Sequence, residues 1–248
     1  MVSWKERLQR ETGFLLSLAR DTGAASVLDA ACGTGMHAVM LAGSGLRCTG
    51  VDLSPRMIER ARKNAEDAGV SVDFRAAAFG DLPSSFTGRF DLVLCLGNSL
   101  PHVLDDDSLH RTLLDFSRVM SPGGALVIQN RNYDRVLMEK ARFMPVTSRV
   151  QGAEEALFLR ITDFPRGDGD QVEFTMVCLR KKGGAWTQSV RSTPLRALRR
   201  RVLEDALLKN GFPRVQAWGG YDLSTFDEAH SADLLVVASK KAAASPGS

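Results

Sequence analysis

Short apolar segments alternate with helical segments between residues 26 and 130, and this rhythm most constrains the fold. The apolar segments have the length of buried strands, and amphipathic stretches lie between most of them. Strands alternating with helices predict a parallel sheet covered on both faces, which is the doubly wound α/β class. The predicted strands of this region are residues 26–31, 47–54, 70–77, 89–96 and 125–130.

The rhythm changes after residue 131. Three β-rich runs at 155–165, 171–182 and 185–193 are separated by glycine-rich turns and predict an antiparallel β-rich insert. A helix at 195–211 and two further strands at 214–220 and 233–241 then return to the core, giving a mostly parallel sheet of seven strands. The predicted divisions are 1–131 for the core, 132–193 for the insert, 194–241 for the return and 242–248 for a disordered tail.

Composition excludes several classes of function. Lys plus Arg number 32 and Asp plus Glu 29, a balance that argues neither for nor against a polyanionic partner, and the basic residues form no long stripe. No nucleic-acid partner is predicted. No apolar run approaches the ~20 residues of a membrane helix, and the charged N-terminal stretch is unlike a signal peptide. The four cysteines have no C-x-x-C spacing, as expected of buried thiols in a reduced compartment. We therefore expect a cytoplasmic location, without membrane or metal binding.

The loop after the first predicted strand combines glycines with an acid. It runs from Asp29 to Gly35 and reads DAACGTG, and Gly33 and Gly35 allow backbone to approach a ligand closely. Asp52 ends the second predicted strand, where a carboxylate can accept hydrogen bonds from both hydroxyls of a ribose. The structural alternatives are a tight turn at the glycines and a helix N-cap at Asp52. Because ligands bind at the carboxyl ends of such strands, we predict a nucleoside site here.

Two classes of nucleoside ligand compete for this site. A dinucleotide fold requires G-x-G-x-x-G, whereas the next glycine here is Gly43. The carboxylate of Asp29 would repel a pyrophosphate but attract a cation. S-adenosylmethionine carries an ammonium, a sulfonium and a ribose without phosphate, so the residues favour it over NAD.

Four motifs together resemble those of the class I S-adenosylmethionine-dependent methyltransferases. They read VLDAACGTG, GVDLS, FDLVLCLGNS and SPGGALVIQNRNYD, and the resemblance covers roughly residues 7–131. It implies a Rossmann-like fold, S-adenosyl-L-methionine as cofactor and S-adenosyl-L-homocysteine as product. The positions it nominates for cofactor binding are Arg7, Asp29, Ala31, Gly33, Gly35, Asp52, Leu53, Met57, Ala78, Phe79 and Leu96.

The resemblance also implies roles for these positions. Arg7 would hold the carboxylate of the cofactor, and Asp29 would lie with the glycine backbone at its methionine end. Asp52 would bind the ribose, while Leu53 and Met57 would pack against the adenine. Other members of the family often have an acid or amide at the position of Ala78, which leaves the neighbouring phenylalanine to contribute packing alone.

A narrower resemblance concerns the methyl acceptor, which we expect to be a small molecule. LGNS at 96–99, His102 and RNYD at 131–134 are similar to segments of the glycine and sarcosine N-methyltransferase group. This implies that Asn98 holds the acceptor amine and that the guanidinium of Arg131 forms two parallel bonds with its carboxylate. The candidate catalytic residues are Asn98, His102, Arg131 and Tyr133.

Each of these assignments has a purely structural alternative. The alternative for Asn98 and Ser99 is a role as turn caps. The alternative for His102, which has equal weight with a substrate contact, is a side chain packed under its loop. Arg131 has the alternative of an ion pair with either of two aspartates, Asp105 or Asp134.

The sequence also departs from the glycine-methylating group. Those enzymes surround their substrate with several tyrosines, whereas this chain has two, Tyr133 and Tyr221. A larger or less polar amine or amino acid is therefore predicted as readily as glycine, with the acceptor atom and the oligomeric state left open. The alternatives are a small-molecule O-methyltransferase and a non-catalytic S-adenosylmethionine-binding protein. The absence of an Asn/Asp-Pro-Pro-aromatic tetrapeptide after the fourth strand counts against nucleic-acid and protein-glutamine methylation.

Overall fold

A computed structural model describes residues 4–241 apart from residues 153, 166 and 168, and without the side chains of residues 4–7, 9 and 151. The predicted tail at 242–248 and the side chain of Arg7 therefore lie outside the described residues.

The larger of two sheets in the described part of the chain has seven strands, in the order β10-β11-β5-β4-β1-β2-β3. β11 runs antiparallel to its two neighbours, and the other adjacent pairs are parallel. The strands are β1 (Ser26–Asp29), β2 (Arg47–Asp52), β3 (Asp73–Ala76), β4 (Phe90–Cys95), β5 (Met120–Arg131), β10 (Arg214–Trp218) and β11 (Asp233–Ser239). The predicted doubly wound, mostly parallel sheet is thus confirmed.

Helices cover both faces of this sheet. They are α1 (Trp4–Asp21), α2 (Met36–Gly43), α3 (Pro55–Asp67), α4 (Asp106–Val119), α5 (Tyr133–Glu139) and α6 (Arg200–Lys209). The start of α3 follows from the sequence, because Ser54 accepts a hydrogen bond from the Met57 backbone nitrogen at 3.4 Å and Pro55 occupies the first turn.

The two faces of the sheet build separate layers of core. Along β4, Leu92 and Leu94 point toward the layer that contains α1, α2 and α3, whereas Val93 and Cys95 point toward the layer of α4 and α6. All four side chains are fully buried. This two-sided burial explains why the central strands are continuously apolar in sequence.

The order of the strands reverses at β1. From β1 the chain passes to β2 on one side, and β4 lies against the other side of β1. The loops after β1 and β4 therefore diverge at the carboxyl edge and leave a crevice, which is where open α/β sheets bind ligands.

The second sheet is antiparallel and has the order β6-β7-β8-β9. Its strands are β6 (Thr147–Gln151), β7 (Glu154–Asp163), β8 (Gln171–Lys182) and β9 (Ala185–Arg196). Arg160 pairs with Met176, which in turn pairs with Arg191, so these three residues form one row across the sheet. Side chains in such a row share one face.

Several predicted boundaries are wrong. The third strand begins at residue 73 instead of 70, and strand β6 is absent from the predictions because its polar sequence, TSRVQ, lacks a strong β pattern. The predicted helix at 195–211 begins only at Arg200, because residues 195 and 196 still pair with β8. The fifth strand is also longer than expected, since its pairing with β4 starts at Met120.

Gly50 generates a prediction for stability. A Cβ atom at this position in β2 would lie 2.5 Å from Phe74 and 3.1 Å from the sulfur of Cys32. We expect Gly50→Ala to lower the free energy of unfolding by about 1–3 kcal/mol because the core must shift to admit the methyl group. Urea unfolding measures the change. Gly13→Ala is the matched control, since the added methyl meets nothing within 4 Å, and equal stability of the two variants would contradict the packing argument.

Candidate active site

A first cavity of about 380 Å³ opens at the carboxyl ends of β1 and β2. It brings together five of the candidates named from the sequence. They are Ala31, Asp52, Leu53, Phe79 and His102, and the remaining lining residues are Ala30, Ser54, Ala77 and Ser99.

Asp52 organises the backbone beside this cavity. Its Oδ2 accepts a hydrogen bond from the Gly33 nitrogen at 2.9 Å, and its Oδ1 accepts one from the Ser54 nitrogen at 2.9 Å. The carboxylate therefore ties the first loop to the start of α3. Each oxygen of a carboxylate has two lone pairs, so acceptor capacity remains on the side that lines the cavity.

The charge around the first cavity is negative. No Lys or Arg is among its lining residues in the described part of the chain. Asp29 is only 1% exposed, and its charge adds to burial in raising the pKa of the Cys48 thiol to about 12. The same two causes raise the pKa values of Cys32 and Cys95. This setting suits a cationic, phosphate-free ligand and opposes a pyrophosphate.

The outer wall of the first cavity is apolar. The side chain of Leu53 is 75% exposed and lines the cavity, and Met57, 43% exposed, follows in the first turns of α3. Phe79 is held edge-on against Phe116, with ring centroids 5.7 Å apart. Exposed apolar groups beside a concave site favour a flat, partly apolar ligand. Ala77 lines the cavity, whereas its neighbour Ala78 is not among the lining residues.

Two glycines and a leucine of the candidate set lie in different surroundings. At Gly35, with φ of +76°, an added Cβ would lie 2.6 Å from Phe74 and 2.8 Å from Ala61, so protein packing accounts for this glycine. At Gly33, φ is +54° and the space beside it is open. The side chain of Leu96 is buried in the core rather than among the cavity-lining residues.

A second cavity, of about 430 Å³, lies between the carboxyl edge of the large sheet and the antiparallel sheet. His102 lines both cavities, so they share a wall. The large sheet and its loops supply Gly97, Asn98, His102 and Arg131, and the segment that follows supplies Met144, Arg160, Phe174, Met176, Arg191, Thr193 and Leu195.

Asn98 is held by three hydrogen bonds. Its backbone lies in the left-handed region with φ of +63°, and its nitrogen donates to the Gln129 carbonyl at 3.0 Å. The side-chain Oδ1 accepts from the Arg131 backbone nitrogen, and Nδ2 donates to the Tyr133 hydroxyl, both at 3.0 Å. One N–H of the amide has no part in these bonds. The fully buried Tyr133 therefore positions Asn98 without lining the second cavity.

The structural alternatives are resolved in different ways. Ser99 is a turn cap, since its hydroxyl donates to the Leu96 carbonyl at 2.7 Å. Arg131 pairs with neither proposed aspartate: Asp105 accepts from the Ser108 nitrogen and Asp134 from the Arg200 nitrogen. Within the described residues, the Arg131 guanidinium forms no salt bridge.

Gln129 is a site residue that the sequence predictions missed. Its Oε1 accepts a hydrogen bond from the Gly97 nitrogen at 2.8 Å, and its Nε2 donates to Asp233 Oδ1 at 3.0 Å. A glutamine at the end of an otherwise apolar strand was the available signal. The cavity residues of the antiparallel sheet were also missed, because alternation alone does not reveal which face of an insert meets the core.

Comparison with known proteins identifies part of the chain. Residues 27–124 match the family model of a methyltransferase domain. The matched segment contains β1 to β4 and both loops of the crevice. This segment is similar to methyltransferase domains. This confirms the resemblance inferred from the motifs.

Curated proteins are similar to about half of the chain. A glycine/sarcosine N-methyltransferase of Parasynechococcus marenigrum is 35% identical over 137 residues, covering 55% of this chain and 49% of that protein. The glycine N-methyltransferase of Homo sapiens is 38% identical over 146 residues, covering 54% and 50%. This chain spans about half the length of the curated relatives that it matches.

Solved structures match nearly the whole chain. A S-adenosylmethionine-dependent methyltransferase from Clostridium acetobutylicum superposes with a TM-score of 0.80 at 16% identity, covering 94% of this chain and 92% of that one. The likeness therefore extends the fold of the methyltransferase domain to the strands beyond residue 124. In the described residues, no helix is both long and apolar enough to cross a bilayer.

His102 generates a prediction for pH dependence. The imidazole faces the cavities, yet the surrounding protein displaces enough water to lower its pKa below the ordinary value of 6.5. A lowered folded-state pKa means that the unfolded chain binds more protons once the pH falls below about 6.5, so this group reduces stability as the pH falls through that region. An NMR titration, with His102→Asn used to assign the signal, should give a pKa below 6.5; a value at or above it contradicts the argument.

Proposed function

We propose that this protein transfers a methyl group from S-adenosylmethionine to a nitrogen of a small amine or amino acid. The observation that carries the proposal is the shared wall at His102. It joins a cavity suited to an adenosyl group with a cavity that carries Asn98 and Arg131. A donor and an acceptor bound in adjoining cavities can meet without exposure to bulk water.

The first cavity fits S-adenosylmethionine by the chemistry of its residues. Asp52 presents a carboxylate to a ribose, and Leu53 and Phe79 offer apolar surface to an adenine. The buried negative charge of Asp29 would attract the ammonium group. When bound, S-adenosylmethionine supplies a methyl group activated by a sulfonium.

Asn98 and Arg131 would hold the acceptor. The free N–H of the Asn98 amide is a donor, and its Oδ1, although bonded to the Arg131 nitrogen, has a second lone pair for an amine hydrogen. The Arg131 guanidinium is available to a carboxylate. Methyl transfer to a neutral amine needs little acid–base help, so these residues would act by positioning the nucleophile and excluding water.

We also propose that residues 132–193 act as a flap over the acceptor. Side chains from β7, β8 and β9 line the second cavity, including Arg160, Phe174 and Arg191. Segments that close over a site from a separate structural unit commonly determine specificity. In the same proposal, residues 1–131 form the core and residues 194–241 rejoin it after the flap.

A broad assay tests the function directly. The protein is incubated with S-adenosylmethionine and a panel of amines, amino acids and phenols, and products are identified by mass spectrometry. Methylated amines support the proposal, and methylated phenols alone would assign O-methylation instead. Binding of S-adenosylhomocysteine without turnover of any acceptor would assign a non-catalytic binding protein. Binding of NADH in place of S-adenosylhomocysteine would remove the cofactor assignment.

Asp52→Ala tests the cofactor site. A ribose clasp would lose two charge-assisted hydrogen bonds worth roughly 1.5–3 kcal/mol each before compensation. We expect the Kd for S-adenosylhomocysteine to rise at least tenfold, measured by calorimetry on protein with a checked Tm, since tenfold corresponds to about 1.4 kcal/mol. Asp67→Ala, which removes an exposed carboxylate from α3, is the control. Unchanged affinity in a folded Asp52 variant would remove this residue from the site.

Arg131→Lys tests the acceptor site. The substitution keeps the charge but loses the bidentate geometry. If the acceptor carries a carboxylate, we expect its KM to rise and kcat to fall, because a displaced nucleophile reacts more slowly. The affinity for S-adenosylhomocysteine should remain nearly unchanged. If Arg131→Lys lowers the affinity for S-adenosylhomocysteine as much as the turnover of the acceptor, Arg131 does not bind the acceptor carboxylate.

A further inference from the structure

Three arginines line the second cavity, and no Asp or Glu is among its lining residues in the part of the chain that the structure describes. Arg131 comes from the end of β5, whereas Arg160 and Arg191 come from the antiparallel sheet. One arginine is enough for a single acceptor carboxylate. The two additional arginines therefore need a separate explanation.

Arg160 and Arg191 are placed to act together. They occupy one row of the antiparallel sheet with Met176 between them, so all three side chains project from the same face. Two strand spacings separate their backbones by roughly 10 Å. The long side chains of Arg160 and Arg191 can therefore both reach a single ligand group that lies over Met176.

The guanidinium group of Arg160 uses only some of its hydrogen-bond donors within the protein. Its Nη2 donates to the Pro145 carbonyl at 3.0 Å, which fixes the guanidinium plane. Its Nε is buried and has no hydrogen-bond partner within the described residues. Arg160 also lines the second cavity, where a guanidinium favours an anionic ligand. No described carboxylate forms a salt bridge with Arg160 or Arg191.

The positive charge of the second cavity is only partly balanced. Burial lowers the pKa of Arg131, the nearby side chains of Tyr133 and Asp233 act against that shift, and the charge of Arg160 adds to it. Asp233 is itself half-buried behind Arg131, where its Oδ1 accepts from Gln129. This leaves the two arginines of the antiparallel sheet without a described counter-charge.

We propose that the acceptor carries two anionic groups, one bound by Arg131 and the second bound between Arg160 and Arg191. This deepens the proposed function and rests on it. Asn98 would hold the amine beside the first anionic group. Phe174 and Met176 line the cavity near the second site and would contact an apolar linker between the two. The second group is a carboxylate or a phosphate, because an arginine fork matches both.

Matched pairs of acceptors test the inference in the wild-type protein. L-glutamate is compared with L-glutamine, L-aspartate with L-asparagine and O-phospho-L-serine with L-serine, with kcat/KM for methylation as the readout. We expect at least a tenfold preference for the dianionic member of at least one pair. The first two pairs report a second carboxylate and the third a phosphate.

A binding measurement makes the test independent of turnover. Calorimetry in the presence of S-adenosylhomocysteine compares succinate with butyrate, and O-phosphoserine with serine. The doubly anionic member of at least one pair should bind at least tenfold more tightly. Arg160→Gln and Arg191→Gln should each reduce that preference severalfold. Arg180→Gln is the matched control, because Arg180 is exposed on β8 of the same sheet and does not line the cavity.

The possible failures are distinguishable. Methylation of both members of each acceptor pair with equal efficiency, unaltered by Arg160→Gln and Arg191→Gln in folded protein, would overturn the second anion site and leave the proposed function standing. Absence of any methylation, together with tight dianion binding that both variants weaken, would overturn the proposed function and retain the site. Equal binding of both members of each pair would overturn the inference whatever the activity.

Discussion

The hydrogen bonds of Gln129 hold the two cavities in register. Its side chain and carbonyl bind consecutive backbone nitrogens, at Gly97 and Asn98, and so fix the loop that leaves β4 against β5. The left-handed backbone of Asn98 then directs its amide toward the Arg131 nitrogen and the Tyr133 hydroxyl. The strands alone do not determine the orientation of Asn98 or the position of the wall at His102. The hydrogen bonds of Gln129 supply this constraint.

Much of the large sheet was predictable because burial on both faces makes its strands continuously apolar and separates them by clear helical signals. Asp52 was predictable for a related reason, since strand ends at a switch point converge by topology. Ala31, Leu53 and Phe79, which also line the first cavity, were nominated by the resemblance to the methyltransferase family. Other features depend on contacts distant in sequence. Phe74 fills the space beside Gly35, and β6 is recruited by pairing with β7, so neither feature has a local signal.

The two cavities differ in charge although they share a wall. The carboxylates of Asp29 and Asp52 give the first cavity a negative environment, whereas the second is lined by three arginines. A cationic donor would therefore be attracted to the first cavity and repelled by the second. An anionic acceptor would be attracted to the second cavity and repelled by the first. Charge alone would oppose binding in the wrong cavity, a form of selectivity that does not depend on close shape complementarity.

The row Arg160, Met176 and Arg191 belongs to strands that take no part in the large sheet. Substitutions along such a row alter the lining of the cavity while leaving the doubly wound core and its nucleoside crevice unchanged. If the second cavity binds the acceptor as proposed, a change of acceptor would not require rebuilding the hydrophobic interior. A few substitutions at one row of three neighbouring strands would then change specificity while the core of the protein stays the same, whether by natural drift or by design.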